Sequence, residues 1–517
     1  MARFKHTDNS QGMFLTVNLA EQLLPGTFEW TLDYLIDRMD LSLFEQNYHN
    51  DEMGACAYPP RILLKIIMYS YSKGILSSRP MEKLCRENIT AKALAGDCEP
   101  DHDTIAVFIS ANHEAVEDLF TQILMQCAKL ELITGEMFGI DGVKMPSNAS
   151  KEWSGTINTL KKKKEKLKKH ISRLLLRHRE LDKNAEAKRI QKPYKETMGD
   201  DKKRRAKSIE RLEKKLKKLD EFLKTAEPKK GASGGEVQSN ITDNESSRIK
   251  GPHGYIQGYN GIAIADSGNQ IIVCAQASGS SESGNFPKML ESLEGNMKAI
   301  TKKKKPLKKS MCLGDTGFFS EENLREAKEM GIEVIIPDPQ FRQRDPDFEE
   351  RKKEKEKKRF DKEDFKYDKK KNEYKCSNGK VLTYKGEVKL RNNEGKKYQA
   401  SASDCSQCPL IGKCINLKHR KAKGGRRHCR TLYIVTRKHK ENLSEKMREK
   451  IDNPAYRELY SRRQQIIEPV FSDIAYCKGM DRFTLRGTEK ADIQWKMYCI
   501  VHNIGKCIRP LGKKYGA

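Results

Sequence analysis

Arg462-Arg463-Gln464-Gln465-Ile466-Ile467-Glu468-Pro469-Val470-Phe471-Ser472-Asp473-Ile474 is the stretch on which the reading of this chain turns. Its apolar residues fall at Ile467, Val470, Phe471 and Ile474, the spacing of one buried stripe on a helix. Glu468 stands beside that stripe, with two arginines about one turn ahead of it. A lone glutamate on an amphipathic helix is ordinarily a solvated surface residue. Two aspartates far upstream, Asp141 and Asp315, give this one another prospect, because carboxylates brought together by a fold hold hard cations.

Both aspartates sit in strand-like segments. Glu136-Met-Phe-Gly-Ile-Asp141-Gly-Val-Lys-Met145 is mostly apolar, and an aspartate inside a buried strand is costly unless paired, hydrogen-bonded or metal-bound. The plain alternative is a capping aspartate in a turn before Gly142. Ser310-Met-Cys-Leu-Gly-Asp315-Thr-Gly317 again ends an apolar run on an aspartate. Ser320-Glu-Glu then opens a helix, and Gly331-Ile-Glu-Val-Ile-Ile-Pro337 reads as a further strand. Strand, helix, strand predicts a parallel pair in an α/β sheet, whose carboxyl ends collect functional groups. Residues 255–266 and 270–276 flank Ser267-Gly268-Asn269, which predicts a hairpin, and a helix is expected over 285–298.

The remaining segments read as follows. Residues 1–130 are helical, with Pro59 and Pro60 opening Arg61-Ile-Leu-Leu-Lys-Ile-Ile-Met-Tyr69, a second helix over 77–94, and Asp103 as the N-cap of a third. Such a domain suits DNA contact and equally suits a plain helical bundle. In residues 156–226, Leu160, Leu167, Ile171, Leu174 and Leu181 lie on a heptad seam with Lys164 and His178 at its weak points. After Pro193 and Gly199, Ile209, Leu212, Leu216, Leu219 and Leu223 repeat the spacing, which predicts an antiparallel helical hairpin. Its Lys/Arg coat reads first as a solvated face and second as a surface for phosphates. Residues 227–247 are a Gly/Ser-rich linker, and 341–371 a charged one.

The 517 residues carry 100 Lys+Arg against 72 Asp+Glu, a net charge of +28. That excess favours a polyanion, most simply nucleic acid, with an anionic membrane surface as the competitor. An apolar run of about 18 residues is missing, as is a secretory signal, so no membrane span is expected and the cytoplasm is the expected home. Most of the fourteen cysteines are scattered singly. Cys405-x2-Cys408-x5-Cys414 instead supplies three thiolates at zinc spacing, with a fourth ligand needed from elsewhere and reduced, metal-free thiols as the alternative.

Ile140-Asp141-Gly142, Leu313-Gly-Asp315-Thr-Gly317 and Arg463-Gln-Gln-Ile-Ile-Glu468-Pro-Val-Phe471 together resemble the DDE transposases of bacterial insertion sequences. The resemblance extends through Tyr255-Ile-Gln-Gly-Tyr-Asn260 and Glu99-Pro-Asp-His-Asp-Thr-Ile-Ala-Val-Phe108, in the same order along nearly the whole chain. It implies an α/β fold with an RNase H-like catalytic domain split over 131–155, 248–340 and 441–517. Around that domain stand the N-terminal helical domain, the inserted helical hairpin and a Cys-rich insertion at 372–440.

Asp141, Asp315 and Glu468 would be ligands for Mg²⁺ (or Mn²⁺), and the activity would be cleavage and strand transfer of double-stranded DNA at terminal inverted repeats. A homodimer on DNA, in a bacterial cytoplasm at the nucleoid, is the matching expectation. Arg462, Arg463, Lys250, Lys478 and Arg486 are the candidate DNA contacts. Relatives carry a tyrosine and an arginine before the glutamate, matched loosely here by Tyr460 and Arg463, and a lysine two turns after it. Ala475 stands at that last position, with Lys478 as a displaced substitute. For structural Zn²⁺ the resemblance favours Cys376 with Cys405, Cys408 and Cys414, while Cys429 and His428 stay open. Two other readings remain: a catalytically idle, transposase-derived DNA-binding protein, and an unrelated metal-dependent nuclease.

Overall fold

β1 (Met137–Pro146) is the strand around which the first part of the molecule is arranged. In the computed structural model, which describes residues 16–48, 56–187, 195–231, 234–251, 254–345, 360–390, 393–415, 429–438 and 442–515, the chain forms two units. One comprises Met1–Phe318, Glu326–Val334 and Leu459–Ala517; the other comprises Phe319–Arg325 and Ile335–Glu458.

Among the described residues the first unit's main sheet adds β2 (Ser247–Gly251), β3 (Gly254–Asp266), β4 (Ile272–Ser278), β5 (Met311–Gly314) and β6 (Glu333–Ile335). The order is β2-β3-β1-β5-β6, with β4 also on β3. β3 is antiparallel to β1, β2 and β4, while β1 and β5 are parallel. The expected hairpin is therefore present as β3–β4. β3 is buried along most of its length, so Ile262, Ala263, Ile264 and Ala265 all reach the core whichever face they point to.

Helices cover the sheet. The helix Thr488–Tyr515 is buried on all sides from Ala491 to Ile504, with Trp495 and Tyr498 among its buried residues. Two of its polar core residues bond to the sheet: Trp495 donates to the Ile262 carbonyl at 2.9 Å, and Asn503 brackets Ile272 at 2.8 and 2.9 Å. Pro454–Ser472 is the helix expected around Glu468, and Ile466, Ile467 and Val470 are its buried residues. Ile466 and Ile467 pack over Gly139 of β1. Phe471 is only half-buried, so the stripe is centred one residue earlier than its spacing suggested.

Three local expectations change. The segment 77–94 is two helices, Ser78–Glu87 and Ile89–Ala95, because Asn88 takes an extended conformation and caps the second through Ala91 N. Asp101, not Asp103, is the N-cap of His102–Ala111: its extended backbone lets the carboxylate accept from Thr104 N at 2.7 Å. The stretch 227–247 is no passive linker, since Asn240 donates to Ser150 O and Ser154 Oγ, and buried Asp243 receives the Tyr259 hydroxyl.

The hairpin helices are Ile157–Ala187 and Lys195–Thr225, with Leu160, Ile171, Ile209 and Leu219 buried. Lys164, the polar residue on the seam, is neutralised by Asp220 at 2.5 Å. Pro193 and the side chains of His178 and Leu181 lie outside the described residues.

The second unit holds a five-stranded antiparallel sheet: Lys366–Asp368, Glu373–Lys375, Val381–Leu390, Asn393–Ala400 and Thr431–Lys438, each strand paired with the next in sequence. Phe365, Tyr374, Leu382, Tyr398, Ala400 and Leu432 form its core. Of the expected charged linker, 346–359 lie outside the described residues, and Phe341–Arg344 is a short helix. No helix among the described residues is long and apolar enough to cross a membrane.

Candidate active site

The parallel register of β1 and β5 pairs Ile140 with Gly314. The next residue on each strand is an aspartate, so Asp141 and Asp315 emerge side by side. Asp141 Oδ1 accepts from Gly142 N at 2.8 Å, and its Oδ2 takes the Arg463 guanidinium at 2.7 Å. Asp315 Oδ1 accepts from Gly317 N at 2.7 Å. Burial pushes the Asp315 carboxyl above the usual range, and the charges of Asp141 and Glu282 push it further; the Gly317 N–H and Arg463 oppose them. The site is thus short of positive charge.

Glu468 is reached through Arg463. Its Oε1 lies 4.0 Å from Arg463 Nη2, and its side chain is 53% exposed. The ligand atoms of Asp141, Asp315 and Glu468 do not all come within 4.8 Å of one another. The helix that carries Glu468 is nevertheless held in place one turn earlier. Pro469 has no N–H to offer the Gln465 carbonyl, and Gln270 from the β3–β4 turn donates to that carbonyl instead, at 2.9 Å. Of the two arginines, Arg463 is the inner one and Arg462 is exposed.

Glu282 was not singled out by its sequence context. It follows Ser281, the N-cap of the helix Glu282–Thr301, and any acid there reads as a first-turn helix stabiliser. The fold turns it inward: Asn260 Nδ2 donates to its Oε1 at 3.1 Å and Lys144 Nζ stands at 3.2 Å.

The other candidates are spread out. Lys478 pairs with Asp473 and is 12% exposed, and Asp473 also faces His502 Nδ1 at 2.6 Å. Arg486 Nε donates to the Asn148 carbonyl at 3.0 Å. Lys250 is exposed on β2. A separate group, His113, Glu117 and Asp492, has ligand atoms within 4.8 Å of one another. Lys496 lies among them, bonded to Glu117 and, at 2.6 Å, to Asp492, so a cation is already present there.

In the second unit, Cys376 closes a tight turn, its N–H donating to Lys380 O and its carbonyl accepting from Gly379 N. Asn378 of that turn reaches Cys408 Sγ at 3.5 Å, and Arg430 N donates to Cys405 Sγ at 3.4 Å. Burial raises the thiols of Cys405 and Cys414, with Cys376 and Cys408 close enough to add to both shifts. Cys429 stands near Cys405 and accepts from Gln399 Nε2 at 2.9 Å. These cysteines converge, although no three sulfurs lie within 4.8 Å of one another. His428 is outside the described residues.

Compared with known families, residues 375–508 match a transposase DDE domain and residues 17–111 a transposase domain. The chain carries the domains of a DDE transposase. No curated protein matches it. The DDE match includes Glu468 and all four candidate zinc cysteines, and it begins well after Asp141 and Asp315, which rest on the β1–β5 register. A DDE domain implies use of a divalent metal, and an all-oxygen donor set at a site short of positive charge fits one.

Proposed function

We propose that this transposase binds the terminal inverted repeats of an insertion sequence as a homodimer on double-stranded DNA, and catalyses strand cleavage and then strand transfer. The observation that carries the reading is the adjacent pair Asp141 and Asp315, just past the last parallel pair of β1 and β5, with Arg463 between them and Glu468. The order β4-β3-β1-β5-β6, with only β1–β5 shown to be parallel, supports an RNase H-like core. Asp141, Asp315 and Glu468 would hold Mg²⁺ (or Mn²⁺). Bound there, the metal supplies charge neutralisation for the attacking and leaving oxygens of phosphoryl transfer.

The protein's own contribution is position and charge. Asp141 and Asp315 are fixed by their strands and by the Gly142 and Gly317 N–H groups. Arg463 holds Asp141 Oδ2 through its guanidinium. Exposed Arg462 and Lys250 would meet DNA phosphates. Arg463, Lys478 and Arg486 would do so only by leaving the partners described above. Cys376, Cys405, Cys408 and Cys414 would hold a structural Zn²⁺ that closes the second unit's small core. The expected setting is the nucleoid of a bacterial cytoplasm.

Purified protein with labelled repeat ends and Mg²⁺ tests this. Asp315→Asn should lose more than the roughly 10- to 100-fold that an outer-shell change costs, while end binding persists. Undiminished cleavage by Asp315→Asn would remove that residue from the site. Wild-type protein that binds ends and never cuts them would favour the idle DNA-binding reading.

A further inference from the structure

Asp141, Asp315 and Glu468 leave one buried acid unexplained. A first-turn glutamate ordinarily faces water, where the helix dipole favours it at little desolvation cost. Glu282 keeps only 11% of its side chain exposed and sits close enough to Asp315 to oppose that residue's ionisation. The chain makes room for it on two sides. At Gly142, directly after Asp141, a Cβ would lie 3.2 Å from Glu282 Oε1. At Gly317 a Cβ would collide with Glu282 Oε2 and come within 2.9 Å of Asp315 Oδ1. The Glu282 carboxylate therefore lies between Gly142, next to Asp141, and Gly317, two residues after Asp315.

A second observation is independent of the acids. Asn260, on β3, is 2% exposed, and its Oδ1 is buried with no hydrogen-bond partner. That oxygen lies 3.4 Å from the same Gly142 Cβ position that Glu282 Oε1 approaches. An orphaned buried carbonyl is expensive, and it calls for a donor or a cation. Carboxylates plus an amide oxygen are the ligand types that Mg²⁺ and Mn²⁺ take. A glutamate whose whole task was to pair with Lys144 would need neither the orphaned oxygen nor the two glycines.

We propose that Glu282, with Asn260 Oδ1 beside it, is a fourth acidic ligand of the divalent-cation site formed by Asp141 and Asp315. The proposal rests on the DDE reading of that site. Lys144 and Arg463 are then the resident counter-charges, on Glu282 and Asp141 respectively. Cation binding displaces Lys144 from Glu282.

The test is Mn²⁺ titration of the full chain without DNA, following free Mn²⁺ by electron paramagnetic resonance. Glu282→Gln should weaken binding by about 10- to 100-fold with its circular dichroism unchanged. Lys144→Met should tighten it, because the competing ammonium is gone. Wild-type affinity in both variants overturns the proposal and leaves Glu282 as a helix-start residue. Asp315→Asn separates the two readings: if it abolishes binding while Glu282→Gln binds as tightly as wild type, only the Glu282 assignment fails. If Asp315→Asn binds as tightly as wild type, the active-site reading fails and takes Glu282 with it. Should Glu282→Gln not fold, Lys144→Met decides alone, tightened binding upholding the proposal and unchanged binding ending it.

Discussion

Asp315 and Asp473 are both partly buried acids, and their surroundings drive them in opposite directions. Burial, Asp141 and Glu282 raise Asp315, so its charged form is less welcome in the folded state than in the unfolded chain. The resulting penalty is absent below the unfolded pKa and fully present above the folded one. Metal-free Asp315→Asn should therefore melt higher than wild type at pH 7, with the gap closing as pH falls below the carboxylate range. Differential scanning calorimetry in chelator reads it, and a lower melting temperature at pH 7 would contradict the assigned strain.

Burial alone would raise Asp473 as well, but hydrogen bonds from His502 and Lys478 and the lysine's charge bring it down to about 2 from 3.8. A depressed acid stabilises above its unfolded pKa and loses that contribution as pH falls toward about 2. Asp473→Asn should cost on the order of 1–2 kcal/mol at pH 7, allowing for its partly exposed side chain. The difference from wild type should shrink between pH 4 and pH 3; a constant difference would rule out the ion pair as its source.

At the scale of elements, what was legible followed periodicity. The two helices of the hairpin and the helix under Glu468 carry repeats long enough to fix their type, and the β3–β4 pair is marked by its Ser267-Gly268-Asn269 turn. What was not legible depends on contacts far apart in sequence. Asp266 also ends an apolar strand, yet the fold uses it to accept from the Thr134, Gly135 and Gly268 N–H groups. Nothing in its local sequence separates it from Asp141 or Asp315; the β1–β5 register does. Glu282 was hidden for the converse reason, since a helix start explains it well enough until Asn260 and Gly317 are placed around it.

The second unit's sheet had weak strand signals because its core is small, six buried residues among the described ones. Arg430 helps to close it, donating to Cys414 O and Phe360 O. A core of that size ordinarily needs a further staple. If the cysteines hold zinc, chelation should raise amide exchange across 372–430 before it changes the first unit, and elemental analysis should find about one zinc per chain. A zinc-free, fully protected sheet would end the claim.

For the whole molecule, a charge of +28 argues for a polyanionic partner whichever residues touch it. Counterion release makes the argument quantitative. Log affinity for repeat-end DNA should fall linearly with log salt, losing about 10³- to 10⁵-fold between roughly 50 and 200 mM if about six to ten phosphates are contacted. Arg462→Gln removes an exposed cation and should reduce that slope by about 1. If the Asp315 carboxylate serves the chemical step rather than the phosphate track, as proposed, Asp315→Asn should leave the slope unaltered. The hairpin offers the sharpest contrast. Lys207, Arg211, Lys214 and Lys218 line one exposed face of its second helix, where Lys214 already pairs with Glu210 at 2.7 Å. Read as a solvated coat, this face should tolerate glutamine at all four positions with no change in slope. A fall of about 3 or more would instead make the hairpin part of the DNA-binding surface, since each phosphate contact contributes about 0.9 to the slope.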